Sequence, residues 1–148
     1  MKQPFVVWDD RYSIGVESVD EQHKGLFDLT NDLYDACQGS YAAAIENFKE
    51  VLQKAVSYVL EHFNNEENIM KKTNDPNYEA HQAEHGLFVK NVMKEAASLG
   101  GGDDEAPELF VNFLRDWISN HVTVTDIKIG QHIAALKAKG ELAPDTTF

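Results

Sequence analysis

His62-Phe63-Asn64-Asn65-Glu66-Glu67-Asn68-Ile69-Met70-Lys71-Lys72-Thr73-Asn74-Asp75-Pro76-Asn77-Tyr78-Glu79-Ala80-His81-Gln82-Ala83-Glu84-His85 is the stretch that decides the fold. Two motifs, His62-x3-Glu66 and His81-x3-His85, flank a short turn, and a spacing of four stacks each pair on one helix face. Counting from Asn74, His62 lies 12 residues back and His85 lies 11 forward; Glu66 lies 8 back and His81 lies 7 forward. In an antiparallel helical hairpin these side chains stand at nearly equal depth. Four candidate metal ligands therefore converge from two helices without any long-range assumption.

Working outward, the first helix of this hairpin is expected from about Ala42 to Lys71, with Phe48, Leu52, Ala55, Val59, His62, Glu66 and Met70 near one stripe. Asp75 as cap and Pro76 at the first helical position would open the second, which carries His81, His85, Phe88, Val92 and Ala96 and stops at Gly100-Gly101-Gly102. Upstream, a non-helical arm of about 17 residues precedes Ser18-x-x-Glu21, which reads as a capping box. The helix it opens carries His23, Leu26, Phe27, Leu33, Tyr34 and Cys37 and ends at Gly39-Ser40. A last helix, from about Glu105 to near Gly140, carries Leu109, Phe113, Leu114, Trp117, Ile118 and His121. The expected fold is all-α: an antiparallel up-down-up-down four-helix bundle with an extended N-terminal arm. One domain spans 1–148, with the arm at about 1–17, the bundle at about 18–140 and a short C-terminal tail.

Composition narrows the partners. Thirteen basic and 25 acidic side chains leave a formal charge of -12, which argues against nucleic acid or an anionic membrane as a preferred surface. Cys37 is the only cysteine, so neither a disulfide framework nor a thiolate metal cluster is available. The opening Met-Lys-Gln-Pro-Phe-Val-Val-Trp lacks the long apolar stretch of a signal peptide, and no later segment reads as a membrane span. Cytoplasmic is the expected location.

The fourth helix holds an irregularity. His121 and Asp126 are five apart, about 140° around an ideal helix, so they cannot stack as an i,i+4 pair does. Val122-Thr123-Val124-Thr125 between them is all β-branched and weakens helix preference, so a local widening or kink is expected there. Any one of these histidines alone would read as a structural or surface residue, and His132 keeps that reading. The set reads differently. Five imidazoles and two carboxylates turned into one bundle interior would be costly to desolvate without a cation, and their number suits two iron ions. Glu66 shares the His62 face, whereas Glu67, one residue off it, is expected either to back a ligand from outside or to be solvated. Tyr58, Phe63 and Trp117 fit either core packing or pocket lining.

At these residues the chain resembles the hemerythrin family, in particular its single-domain bacterial members, from Trp8 to about Leu136. The matching pieces are Val19-Asp20-Glu21-Gln22-His23, His62-Phe63-Asn64-Asn65-Glu66-Glu67, His81-Gln82-Ala83-Glu84-His85, and Trp117-Ile118-Ser119-Asn120-His121 followed by Asp126. The resemblance implies that His81, His85 and His121 ligate one iron and that His23 and His62 ligate the other. Glu66 and Asp126 would bridge them together with a solvent-derived oxo or hydroxo oxygen. The second iron would keep an open position for O2, crowded by Ile118, Val122 and Trp117. Where the family frequently reads Tyr-Pro before its third-helix histidines, this chain reads Pro76-Asn77-Tyr78, a departure that touches the turn and no ligand.

The function so implied is reversible dioxygen binding for transport, storage or delivery, without catalysis of its own. Its imidazole-rich donor set supplies less negative charge than carboxylate-rich di-iron sites and should stabilise higher-valent iron less. The partners implied are dioxygen and a reductase or O2-consuming enzyme, with a monomer as the simplest assembly. Oxygen or redox sensing through a partner protein and iron storage or detoxification are the alternative readings. An oxygenase or peroxidase is a third class, for which no general acid or base and no substrate cavity is legible in the sequence.

Overall fold

The computed structural model describes residues 3–38, 41–99 and 105–148. Its elements are a 3-10 turn Asp10–Tyr12, α1 Glu17–Ala36, α2 Tyr41–Lys72, α3 Tyr78–Ser98, α4 Ala106–Asn120, a π-helical segment His121–Asp126, and α5 Ile127–Ala138. The α4–π–α5 run is one continuous fourth helix of an antiparallel four-helix bundle, and among the described residues there is no strand. The expected Gly39-Ser40 and Gly100-Gly101-Gly102 stops lie outside the described residues. Among the described residues no helix is long and apolar enough to cross a membrane.

One half of the bundle is filled by a core around Leu33, Phe48, Phe63, Phe88, Phe110 and Val111. The other end is closed by Ile14, Val16, Val19, Ile69, Met70, Ile129 and Ile133. Between these two apolar plugs the interior is polar, which is where the histidines lie.

Two helix starts differ from the sequence expectation. The capping box at Ser18 does not form: α1 begins at Glu17, and its N-cap Val16 makes no side-chain cap bond. Asp20 instead reaches back, accepting from the Ser13 hydroxyl at 2.6 Å and from the Ile14 amide at 2.8 Å, and so ties the arm to the helix. Ser18 accepts a bond from the Asn65 side chain across the α1–α2 seam. A long-range partner has displaced the local one.

Asp75 and Pro76 likewise precede α3 rather than open it. Asn74 adopts a left-handed φ of 48° and ends α2 in a Schellman arrangement: the Asp75 amide donates to Met70 O and the Asn74 amide to Lys71 O. Asp75 Oδ1 then accepts from the Asn77 amide and its carbonyl from the Tyr78 amide, so Asp75 builds the turn and α3 starts at Tyr78. Gly140, at φ 73°, ends α5 in the same manner.

His132 buttresses this turn, its Nε2 donating to the carbonyl of Thr73 at 2.8 Å. His132→Ala is therefore expected to cost about 1 kcal/mol of stability and no metal. A lowered metal content in a variant of undiminished helicity would contradict that role.

Candidate metal centre

Each functional side chain arrives from a different turn of the bundle. α1 supplies His23, α2 supplies His62 and Glu66, α3 supplies His81 and His85, and the π segment supplies His121 and Asp126 at its two ends. The π turn answers the spacing problem of the fourth helix. An extra residue in the turn brings positions five apart to the same side, so His121 Nε2 lies 2.9 Å from Asp126 Oδ1.

The seven side chains form two overlapping clusters. Glu66, His81, His85, His121 and Asp126 make one; His23, His62, Glu66 and Asp126 make the other; within each the donor atoms lie within 4.8 Å of one another. Glu66 and Asp126 belong to both. Glu66 Oε1 is 3.0 Å from His62 Nε2 and 3.3 Å from His23 Nε2, while Oε2 is 3.2 Å from His81 Nε2 and 3.1 Å from His85 Nε2. All seven residues are buried.

Whether a cation fits can be tested on the hydrogens. His85 Nδ1 donates to Glu67 Oε1 at 3.0 Å and His121 Nδ1 donates to Glu84 Oε2 at 3.1 Å. Both carboxylates accept only, so in the neutral ring the proton sits on Nδ1 and a lone pair on Nε2. Yet His85 Nε2 and His121 Nε2 face one another at 3.2 Å. His62 repeats the pattern: Nδ1 donates to Gln22 Oε1 at 2.8 Å, that amide being oriented by Asn65, and the Nε2 lone pair is turned to Glu66. Lone pairs opposed at such distances repel unless a cation lies among them. Glu66 Oε1, both Asp126 oxygens and both His23 nitrogens are also buried without a hydrogen-bond partner among the described residues.

The electrostatics agree. Burial raises the pKa of both carboxyls, and Glu66 adds to this at Asp126, but the surrounding imidazoles hold both well below the usual carboxylate range. Burial lowers the pKa of His23 and His81, yet Asp126 and Glu66 together push them up to about 9 and about 10. The cluster favours positive charge, which metal cations would supply without protonating the candidate ligands. The cluster suits a di-iron site.

An apolar cluster draws on α1 one turn beyond His23 and on the fourth helix either side of His121. Leu26, Phe27, Ile118 and Val122 form a buried cluster, with Trp8 and Tyr12 of the arm and Tyr58 and Trp117 packed against it. Trp117 stacks on the His121 ring with centroids 4.3 Å apart, and Phe63 stacks on His85 at 3.7 Å. Trp117 thus lies against the ring of a candidate ligand, while Ile118 and Val122 belong to the apolar cluster.

Sequence reasoning missed Gln22 and Glu84 as partners of the outer ring nitrogens, and Leu26, Phe27, Trp8 and Tyr12 as wall. Of the two roles expected for Glu67, the structure shows the one behind a candidate ligand, at His85 Nδ1. The usable signal was the placement of Gln22 and Glu84 beside candidate ligands, one residue before His23 and His85. Glu84, half exposed and also held by the Thr125 hydroxyl, orients His121 from outside. Glu84→Ala is expected to weaken metal binding about 10–100-fold with the fold retained; chelator competition matching the parent would return Glu84 to the status of a solvated charge.

Comparison with known proteins accords with this geometry. The family profile described as the Hemerythrin HHE cation binding domain matches residues 14–132. The bacteriohemerythrin of Pseudomonas aeruginosa strain PAO1 is 35% identical over 121 residues, 82% of this chain and 76% of that relative. The myohemerythrin of Theromyzon tessulatum is 31% identical over 121 residues, 82% of this chain and 88% of its own. A crystal structure of wild-type hemerythrin superposes with a TM-score of 0.77 at 29% identity, covering 88% of this chain and 98% of that one. With the family profile matched across the bundle and relatives of this identity over most of its length, the chain belongs to the hemerythrin family.

Proposed function

We propose that this protein binds dioxygen reversibly at a di-iron centre, acting as a carrier or store rather than as an enzyme, within one domain spanning residues 1–148 and in the cytoplasm. The observation that carries the reading is the asymmetry of the two donor clusters, five candidate ligands in one and four in the other, with a buried apolar cluster built from residues that neighbour His23 and His121 in sequence. In this reading His81, His85 and His121 would hold one iron and His23 and His62 the other, and Glu66 and Asp126, which belong to both donor clusters, would serve both. Bound there, the iron pair would supply the electrons and the open coordination position that O2 requires.

The chain's own residues do the rest. Gln22, Glu67 and Glu84 fix the tautomers of His62, His85 and His121, so that each presents Nε2 inward. Leu26, Phe27, Ile118 and Val122 form a buried apolar cluster that offers no proton donor. Excluding water and small anions is what keeps a bound gas from leaving as a reduced product. Five neutral rings and two carboxylates give the site modest negative charge, which favours binding over oxidation of a substrate.

The test is a metal count joined to a spectrum. Two irons per chain, and a visible charge-transfer absorption that appears when reduced protein meets O2 and disappears when the gas is removed, are expected; an absorption that never forms, or never reverses, overturns the carrier reading. Val122→Ala and Ile118→Ala probe the cover. Val122→Ala should lose about 1–3 kcal/mol of stability and Ile118→Ala about 2–5 kcal/mol, and with iron content unchanged each should lose the oxygenated form faster to oxidation. Lowered stability with the parent oxidation rate in both variants would make the pair core residues only.

A further inference from the structure

An apolar cavity has Leu26 and Ile118 in its wall and none of the seven candidate metal ligands. It holds about 250 Å3 and runs from the core to a mouth on the α2–α3 seam, where Leu60 and Met93 are 49% and 68% exposed. Its inner walls include the buried Leu33, Leu52, Phe88 and Phe110. Close-packed interiors leave few voids larger than a water molecule, so a space of this size is an exception that needs an occupant or carries a stability cost. Ala55 and Ala96, facing it from α2 and α3, are the small residues that keep it open.

Water is a poor occupant. The one polar side chain in the wall is Thr30, and its hydroxyl already donates to the Leu26 carbonyl at 2.7 Å. A water needs two to four polar partners, whereas an apolar cavity of about 150 Å3 stays dry and takes up benzene. No charged side chain lines the space, so an ionised ligand would lose its hydration without compensation. We propose that this cavity is a binding site for a small uncharged hydrocarbon, a ring or short chain, entering between Leu60 and Met93. Leu26 and Ile118 belong both to its wall and to the buried apolar cluster with Phe27 and Val122, so the cavity and that cluster share two side chains. The site is independent of the dioxygen reading and uses no metal ligand.

Fluorobenzene is a suitable probe, followed by 19F NMR with the full, iron-loaded chain. Saturable binding is expected, together with a ligand-dependent rise in the thermal unfolding midpoint. Ala55→Leu and Ala96→Leu, which fill the space from two different helices, should each bind at least tenfold more weakly while keeping the parent iron content and the parent response to O2. Absence of saturable binding to the parent protein overturns the proposal, and so does undiminished binding in both filled variants. Failure of the O2 response alone, with fluorobenzene still bound, would count against the functional reading and leave this site standing.

Discussion

Glu66→Ala should leave a protein that folds but cannot hold its metal pair. Glu66 is fully buried and reaches four imidazoles, two through each oxygen, and it belongs to both donor clusters. Removing one partner from a buried charged network costs about 3–5 kcal/mol, which is about two to four orders of magnitude in affinity. Glu67→Ala is the informative companion, because the adjacent carboxylate touches only the outer nitrogen of His85 and the Gln82 amide. Its loss should weaken binding about 10–100-fold. Metal content after dialysis against a graded chelator separates the two. Equal retention would mean that the wrong glutamate has been placed between the clusters.

Gly130→Ala should destabilise the protein even though it improves the helix. Glycine within α5 costs about 1 kcal/mol relative to alanine by propensity, so an open helix surface would gain from the change. At Gly130, however, a Cβ would run into the carbonyl oxygen of Ile14, where the arm crosses the helix. That obstacle is backbone, and Asp20 holds the segment through Ser13 and the Ile14 amide, so it cannot swing aside as a side chain would. Overpacking of this kind costs about 3 kcal/mol, leaving a net loss of about 2 kcal/mol, or about 4–8 °C in unfolding midpoint for a chain of this size. Gly25 offers the contrast: there the obstacle is the far end of the Tyr58 side chain, which can rotate away. A Gly130→Ala midpoint at or above that of the parent would show that the arm is not held against α5.

The sequence by itself determined what depends on spacing along one helix or across one short turn. The i,i+4 pairs at His62 and His81, the hairpin count through Asn74 and the five-residue gap from His121 to Asp126 are all local arithmetic, because a helix repeats every 3.6 residues. The structure has its hairpin and its widened π turn at those places, and it brings all seven side chains into one buried cluster. Tertiary structure alone decided what depends on how separate helices are rotated about their axes. Gln22 meets His62 across 40 residues, Glu67 meets His85 across 18 and Glu84 meets His121 across 37, and no periodicity selects those partners. The same holds for the helix starts. Ser18 and Asp75 had good local capping chemistry, but Asn65 took up the first and a left-handed Asn74 turned the second into a turn residue. A local hydrogen bond is worth about 1 kcal/mol net, so a long-range partner of similar strength, delivered by packing of the whole bundle, is enough to displace it.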